Sequence, residues 1–472
     1  MIHQSKCIAL MKSLTTWEFK GLEQFIHSGY HNPNPQVIQL FNLIKPHYPQ
    51  FESELPNYEK LSRLVFSKNK SNVPKLRHLL TDLTRIIERY LMQLEQEDNP
   101  MLTRELLSRQ LLNRKCDKQF LQQIKEHNSQ KSTTDISGLE HRVHLSELMH
   151  QYEATYQNRN EQQELQQLSD KLDDYYLTKK IKYCCEMLNR ATILGITYHI
   201  PVLPYLLQYL NNHPPQLPLL RIYYCILFTI TENENEQHYL NLKNLLVHRS
   251  SFTLRENKDI FAFAQNYCIR KLNTGKLEYL KELFEIYQTT LEERIIFDNN
   301  TLSHADFKNI CAVAIRLHEL KWVEVFINSY QKHLPSDLRH NSVSYNLARL
   351  YFAKRKYKEA IRLLTTVEFT DAFYHLDSKA LLLKIYFETQ SYDSLYALLN
   401  AFKIYVKRNK LLSTYQQTIY TNMINKTRLL TQLMAGDITL NTKVMNKINE
   451  IIPVADSSWV DEKTKLVLQN LT

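Results

Sequence analysis

With 472 residues, the chain is too long for one compact core, since a single core stops growing near about 250–300 residues. Its 6 glycines are about a fifth of ordinary usage, which excludes a fold rich in tight β-turns or glycine-lined phosphate loops. The net charge of +10, from 59 basic and 49 acidic residues, permits an acidic partner without specifying one. We therefore predict an all-α protein.

The first 126 residues have the pattern of an N-terminal helical domain with proline-marked breaks. One helix is predicted at about 16–27, with Thr15 or Thr16 as its N-cap. A second is predicted at 73–96, where an apolar residue recurs every three or four positions, and a third at 102–126.

The second part of the chain begins after a polar segment. Residues 127–138 contain almost no apolar side chain, and we predict that they form a linker. Beyond them, 139–194 has the pattern of long polar helices. We assign 139–472 to one array of helical hairpins, an α-solenoid.

A self-similarity with an offset of 35 residues is the strongest signal in the sequence. When 351–364 is aligned with 386–399, Tyr, Phe, Tyr, Leu and Leu coincide. Trp322 lies 35 residues before Tyr357, and a more divergent copy runs from Tyr267 to Phe284. The period predicts one helical hairpin per repeat.

This pattern resembles the tetratricopeptide repeat, a helix-turn-helix unit of about 34 residues. Ala348, Tyr351, Tyr357, Ala360 and Leu364 match its small and aromatic positions, and the resemblance is clearest at 341–405. It implies a stack of hairpins that binds a protein or peptide on its concave side. The N-terminal hundred residues also resemble uncharacterised bacterial helical-repeat proteins, which implies no particular function.

Catalytic motifs do not occur in the sequence. It has no Gly-x-Ser-x-Gly, no glycine-rich phosphate loop and no His-Glu-x-x-His, so we predict that the chain is not an enzyme and has no catalytic or cofactor-binding residues. One histidine-rich stretch has metal-like spacing, but no second copy accompanies it, and we interpret it as a polar helix face without a metal. Its residues are Glu140, His141, His144, Glu147 and His150.

The C-terminal third is basic, since 349–472 contains 18 Lys and Arg against 11 Asp and Glu, a balance of 18 − 11 = +7. Tyrosines are interleaved with these cations, as in proteins that hold single-stranded nucleic acid. Nucleic-acid binding therefore stays open as an alternative to an acidic protein partner.

The seven cysteines are scattered and odd in number, as expected for free thiols in a reducing compartment. The N-terminus lacks an apolar stretch long enough for a signal peptide, so we expect a cytoplasmic protein without a membrane segment. The preferred hypothesis is a scaffold or adaptor. Asn346, Arg349 and Lys384, at positions of the first repeat helices that the packing does not require, are its predicted partner-binding residues.

Overall fold

A computed structural model describes residues 2–51, 56–66, 72–129, 135–156, 161–365 and 372–471. Within these ranges the secondary structure is helical, without a strand, and the all-α prediction is confirmed. None of the described helices combines the length and apolar character needed to cross a membrane. The α-helices are α1 (Lys6–Ser13), α2 (Thr16–His27), α3 (Pro35–Ile44), α4 (Tyr58–Phe66), α5 (Val73–Asp98), α6 (Pro100–Asn113), α7 (Asp117–Ser129), α8 (Ile136–Tyr156), α9 (Glu161–Leu194), α10 (Leu203–Asn212), α11 (Pro218–Thr231), α12 (Gln237–Leu245), α13 (Leu254–Asn273), α14 (Tyr279–Glu292), α15 (His304–Arg316), α16 (Leu320–Tyr330), α17 (Ser336–Ala353), α18 (Tyr357–Leu364), α19 (Ala372–Glu388), α20 (Tyr392–Arg408), α21 (Thr414–Ala435), α22 (Thr442–Glu450) and α23 (Ser457–Gln469).

The helices form two compact units. Unit 1 comprises Met1–Tyr183 and Gln208–Arg221, and unit 2 comprises Cys184–Leu207 and Ile222–Thr472. The predicted linker, 127–138, falls within the span of unit 1, and α7 continues into it as far as Ser129. Residues 130–134 of that segment lie outside the described ranges, and the predicted division at 126 and 139 stays a prediction.

The N-terminal core of unit 1 forms around α5, whose apolar face is buried against α1, α2, α3 and α4. Thr15 is the N-cap of α2, and its hydroxyl accepts a hydrogen bond from the Glu18 N–H at 3.3 Å. The Glu18 carboxylate accepts one in return from the Thr15 N–H at 2.6 Å, which completes a capping box. The first four N–H groups at the start of a helix have no acceptor within the helix. In α2, two of them, those of Thr15 and Glu18, therefore have side-chain acceptors.

The prediction of one continuous helix at 102–126 is wrong, because the chain forms two helices there, α6 and α7. Lys115 adopts a left-handed conformation with φ = 56°, and the Cys116 N–H donates to Leu111 O at 3.0 Å. This is the hydrogen bond of a Schellman helix end. Glycine usually occupies the left-handed position, so a lysine there leaves no sequence signal for the break.

We predict that Gly21→Ala destabilises unit 1 by about 1–3 kcal/mol. A methyl group at position 21 overlaps the Tyr90 hydroxyl, which is buried and donates to Glu18 O at 2.9 Å. Urea denaturation followed by circular dichroism measures the loss. Gly29→Ala, which has no atom within 4 Å of the added carbon, is the control and should be near neutral. The double variant Gly21→Ala/Tyr90→Phe should lose less free energy of unfolding than the sum of the losses in the two single variants. Strictly additive losses would contradict the proposed overlap.

Unit 2 contains a series of helical hairpins joined by the same kind of turn. In the four hairpins α13–α14, α15–α16, α17–α18 and α19–α20, one turn residue has a left-handed conformation. These residues are Gly275, His318, Arg355 and Gln390, with φ between 51° and 91°. The N–H that follows each one donates to a carbonyl five residues earlier, at 2.8–3.1 Å.

The 35-residue offset of the sequence is also the offset of the helices. α17 and α19 end at Ala353 and Glu388, which are 388 − 353 = 35 residues apart. α18 and α20 begin at Tyr357 and Tyr392, again 392 − 357 = 35 residues apart. The apolar positions of both hairpins are buried in two adjoining clusters. The turns of the last two hairpins therefore recur with the period of the sequence, and α19 packs against both helices of the hairpin before it.

We expect Gln390→Gly to stabilise unit 2 by about 0.5–1 kcal/mol, because glycine adopts a left-handed conformation without steric conflict. Gln390 is exposed and has φ = 51°, so its side chain contributes little packing. Thermal denaturation should show a higher midpoint. The matched control, Ser394→Gly inside α20, should lower it, because glycine destabilises a helix interior. A decrease for both variants would contradict the expected relief of strain.

Candidate functional site

The first helices of the last hairpins contribute side chains to one cavity of about 330 Å³. We call it the Arg349 cavity. Its polar lining comes from four helices, α15, α17, α19 and α21, and from the loop before α23. The residues that matter here are Lys308, Tyr345, Arg349, Asp377, Lys384, Tyr420 and Asp456. An adjoining cavity of about 320 Å³ shares Lys308, Asp377 and Tyr420.

Three cations and two carboxylates face this space, a formal balance of 3 − 2 = +1. Lys308 Nζ lies 2.6 Å from Asp377 Oδ2, and the Tyr420 hydroxyl donates to Asp377 Oδ1 at 3.2 Å. The carboxylate of Asp377 is therefore fully engaged. Lys384 forms an ion pair with Asp456.

Arg349 is the cation of the cavity that has no carboxylate partner among the described residues. Its Nη1 donates to the backbone oxygen of Lys308 at 3.5 Å, and its guanidinium lies 5.8 Å from the ring centre of Tyr345. A guanidinium has five N–H donors in a planar fork that matches a carboxylate. Most of the hydrogen-bonding capacity of Arg349 is therefore left for a ligand.

The second cation, Lys384, is nearly buried, with a side-chain exposure of 16%. Burial and the nearby Arg349 guanidinium lower the pKa of Lys384 to about 8, against the opposite effect of the carboxylates of Asp377 and Glu388. The two cations thus repel each other across the cavity. An added anionic group between them would stabilise both.

Arg349 and Lys384, two of the three predicted partner-binding residues, line the same cavity. The expectation that packing does not require these positions is wrong for Lys384 and for Asn346. Lys384 is nearly buried, and Asn346 is fully buried with its side-chain N–H₂ donating to Ser342 O at 2.8 Å. Asn346 does not line the cavity. Helical spacing placed all three on the first helices, but the burial of Asn346 depends on neighbours far along the chain.

The basic runs of the C-terminal third are divided among several surfaces. Lys354 forms an ion pair with Glu324, and Lys403 donates to the Asn425 side chain at 3.3 Å. Of the seven interleaved tyrosines, Tyr415 is exposed and the other six are half-buried. The half-buried ones are Tyr351, Tyr357, Tyr386, Tyr392, Tyr405 and Tyr420.

The histidine-rich stretch forms part of α8, in unit 1. His141 and His144 face the buried carboxylate of Glu105 on α6, whereas the side chain of Glu147 is exposed. His150 lines a separate cavity of about 280 Å³. The interpretation of the stretch as a polar helix face is therefore incomplete, since two of its histidines share one buried partner. Glu105 gave no sequence signal, because it lies 36 residues before His141.

Comparison with protein-family models, with curated proteins and with solved structures found no significant match for this chain. The resemblance to tetratricopeptide repeats therefore rests on the residue pattern and on the recurring hairpins.

Proposed function

We propose that this protein is a non-enzymatic scaffold whose tetratricopeptide-like hairpins bind an acidic protein or peptide at the Arg349 cavity. The observation that carries the proposal is the half-buried Arg349 guanidinium, which faces a cavity and pairs with no carboxylate in the described chain. A desolvated cation gains most from a charge-assisted, bidentate hydrogen bond, which a partner carboxylate provides.

The placement of the cavity supports a macromolecular partner. Successive hairpins contribute one helix each, so a ligand that follows the helices meets Lys308, Arg349 and Lys384 in turn. Lys308 and Lys384 already form ion pairs within the chain and add positive charge near the cavity. Arg349 is the residue that would pair directly with a carboxylate of the partner. Neighbouring apolar residues, including the half-buried Ala312 and Ala380, supply non-polar contact. Such a mixture suits a peptide with acidic and apolar side chains.

The free thiols are consistent with a reducing compartment, and we place the scaffold in the cytoplasm. All seven cysteines are free, six of them are buried, and Cys116 is half-buried. Desolvation raises the pKa of the Cys7, Cys268 and Cys311 thiols to about 12, so these groups stay protonated and unreactive at neutral pH.

A single-stranded nucleic acid is the second candidate, and one observation favours it: Tyr415 presents an exposed ring on a basic part of the chain. Proteins that bind single-stranded nucleic acid without sequence preference stack successive bases on several accessible aromatic side chains along a groove. Because the other six tyrosines are half-buried, we rank this candidate below a protein partner.

Affinity capture with the full-length chain distinguishes the two candidates. Lysate is passed over the immobilised protein with and without nuclease, at about 50 and about 200 mM salt. Contacts to 6–10 phosphates would lose about 10³-fold or more in affinity over this range, whereas pairing through one arginine loses much less. Proteins that remain after nuclease and at the higher salt, and that Arg349→Glu fails to capture, support the scaffold. Recovery that disappears under both treatments supports nucleic acid.

A further inference from the structure

Three side chains with metal-binding chemistry converge in unit 1, between α6 and α8. Nδ1 of His141 lies 2.8 Å from Glu105 Oε2, and Nδ1 of His144 lies 3.1 Å from the same oxygen. The candidate ligand atoms all lie within 4.8 Å of one another. From this geometry we propose that Glu105, His141 and His144 bind one transition-metal ion, for which Zn²⁺ is the best match. The proposal is independent of the docking function.

The donor set and its spacing both suit zinc. Zn²⁺ binds imidazole nitrogen and carboxylate oxygen at about 2.0–2.2 Å, so neighbouring ligands around a tetrahedral ion lie about 3.3–3.5 Å apart. The two nitrogen–oxygen separations, 2.8 and 3.1 Å, are shorter than this by about 0.2–0.7 Å. Small side-chain rotations therefore open enough space for the ion. On binding, each imidazole would be in its neutral Nε2–H tautomer, so that the Nδ1 lone pair bonds to the metal in place of the hydrogen bond to the carboxylate.

The candidate carboxylate ligand is shielded from bulk solvent. Glu105 is 5% exposed, and its Oε2 faces the Nδ1 atoms of both His141 and His144. The site is also accessible, because the His144 side chain is 38% exposed. An ion can therefore enter on that side, and a water molecule can complete its coordination.

Neighbouring groups hold the ligands in place. Arg109 Nη2 donates to Glu105 Oε1 at 2.9 Å, which fixes the carboxylate and leaves Oε2 for the ion. Glu140 accepts a hydrogen bond from the Tyr175 hydroxyl at 2.5 Å, and its charge acts on His144. Such outer groups orient metal ligands and strengthen binding.

Cobalt titration of the metal-stripped full-length chain tests the proposal, since Co²⁺ in a tetrahedral site has intense visible absorption. We expect one equivalent to bind. Glu105→Gln, His141→Ala and His144→Ala should each weaken binding about 100-fold or more, and Arg109→Gln about tenfold. His150→Ala and Glu147→Gln, on the same helix, are the controls and should leave the affinity unchanged. Circular dichroism checks the fold of every variant.

Several results would overturn the proposal. These are the absence of a tetrahedral cobalt spectrum in the wild type, binding that persists in the double variant His141→Ala/His144→Ala, and a strong near-ultraviolet band from thiolate coordination. Should the ligand variants fail to fold, X-ray absorption of the zinc-loaded wild type decides. Two imidazoles and one carboxylate oxygen support the assignment, and any other protein donor set contradicts it.

Discussion

Arg349→Glu is expected to abolish capture of an acidic partner while the chain stays folded. The wild-type guanidinium makes one long side-chain hydrogen bond, at 3.5 Å, so little internal stabilisation is lost. The new carboxylate would lie near the cations of Lys308 and Lys384 but would repel an acidic ligand. Loss of a buried charge-assisted pair typically costs about 2–5 kcal/mol, which corresponds to about 30-fold or more in Kd.

Arg362→Glu is the matched control for this prediction. Arg362 is exposed on α18, the second helix of the same hairpin, so the substitution changes the net charge equally without entering the cavity. Fluorescence anisotropy with a labelled Glu- and Leu-rich peptide measures the affinity of both variants. Equal affinity of Arg349→Glu and wild type would contradict the placement of the docking site. Equal losses in both variants would indicate a non-specific effect of charge.

Lys384→Glu is expected to lower the free energy of unfolding by about 3–5 kcal/mol. The substitution removes a nearly buried ammonium and places a carboxylate opposite Asp456 and near Glu388. Urea denaturation measures the loss. A change of less than about 1 kcal/mol would contradict a stabilising role of the nearly buried Lys384 ammonium.

A second substitution separates charge repulsion from a general packing defect. Asp456→Asn keeps the left-handed backbone at φ = 49°, which asparagine tolerates, and removes the opposing charge. In the Lys384→Glu background it should recover about 1–3 kcal/mol. In the wild-type background, Asp456→Asn should lower the free energy of unfolding, because Lys384 loses its ion-pair partner. Destabilisation in both backgrounds would indicate a packing defect instead.

The fold class could be predicted because it follows from composition and periodicity. The scarcity of glycine excluded folds rich in β-turns and phosphate loops, and the 35-residue offset predicted one helical hairpin per repeat. The first helices of the last two hairpins end 35 residues apart, at Ala353 and Glu388. The break at Lys115 could not be predicted, since a lysine in a left-handed conformation has no local sequence signal. Helix ends of this kind are stabilised by backbone hydrogen bonds, which any residue can form.

Two of the residues that line the Arg349 cavity were named from the sequence as partner-binding residues. Helical spacing placed Arg349 and Lys384 on the first helices of two repeats, where both line one cavity. The burial of Asn346 and the pairing of Lys384 with Asp456, 72 residues away, depend on long-range packing that one sequence does not encode locally.

The histidine cluster illustrates the same limit. The spacing of His141 and His144 indicated a shared helix face, but the third candidate ligand, Glu105, lies on another helix. Packing of α6 on α8 brings Glu105 to both rings. A search for metal motifs within one helix therefore finds two of the three candidate ligands. It also selects Glu147 and His150, which lie away from the cluster of Glu105, His141 and His144.

Site-specific photo-crosslinking in source cells tests the docking proposal most directly. A photoreactive phenylalanine replaces Tyr420, which lines the Arg349 cavity, or, as the control, Tyr396 on α20. Both hydroxyls donate to an aspartate, Asp377 at 3.2 Å and Asp437 at 2.9 Å, so the two substitutions remove equivalent contacts. We predict that position 420 crosslinks to a protein with an acidic segment, that position 396 does not, and that Arg349→Glu abolishes the product. Equal crosslinking from both positions, or crosslinking of position 420 to nucleic acid alone, would contradict the account.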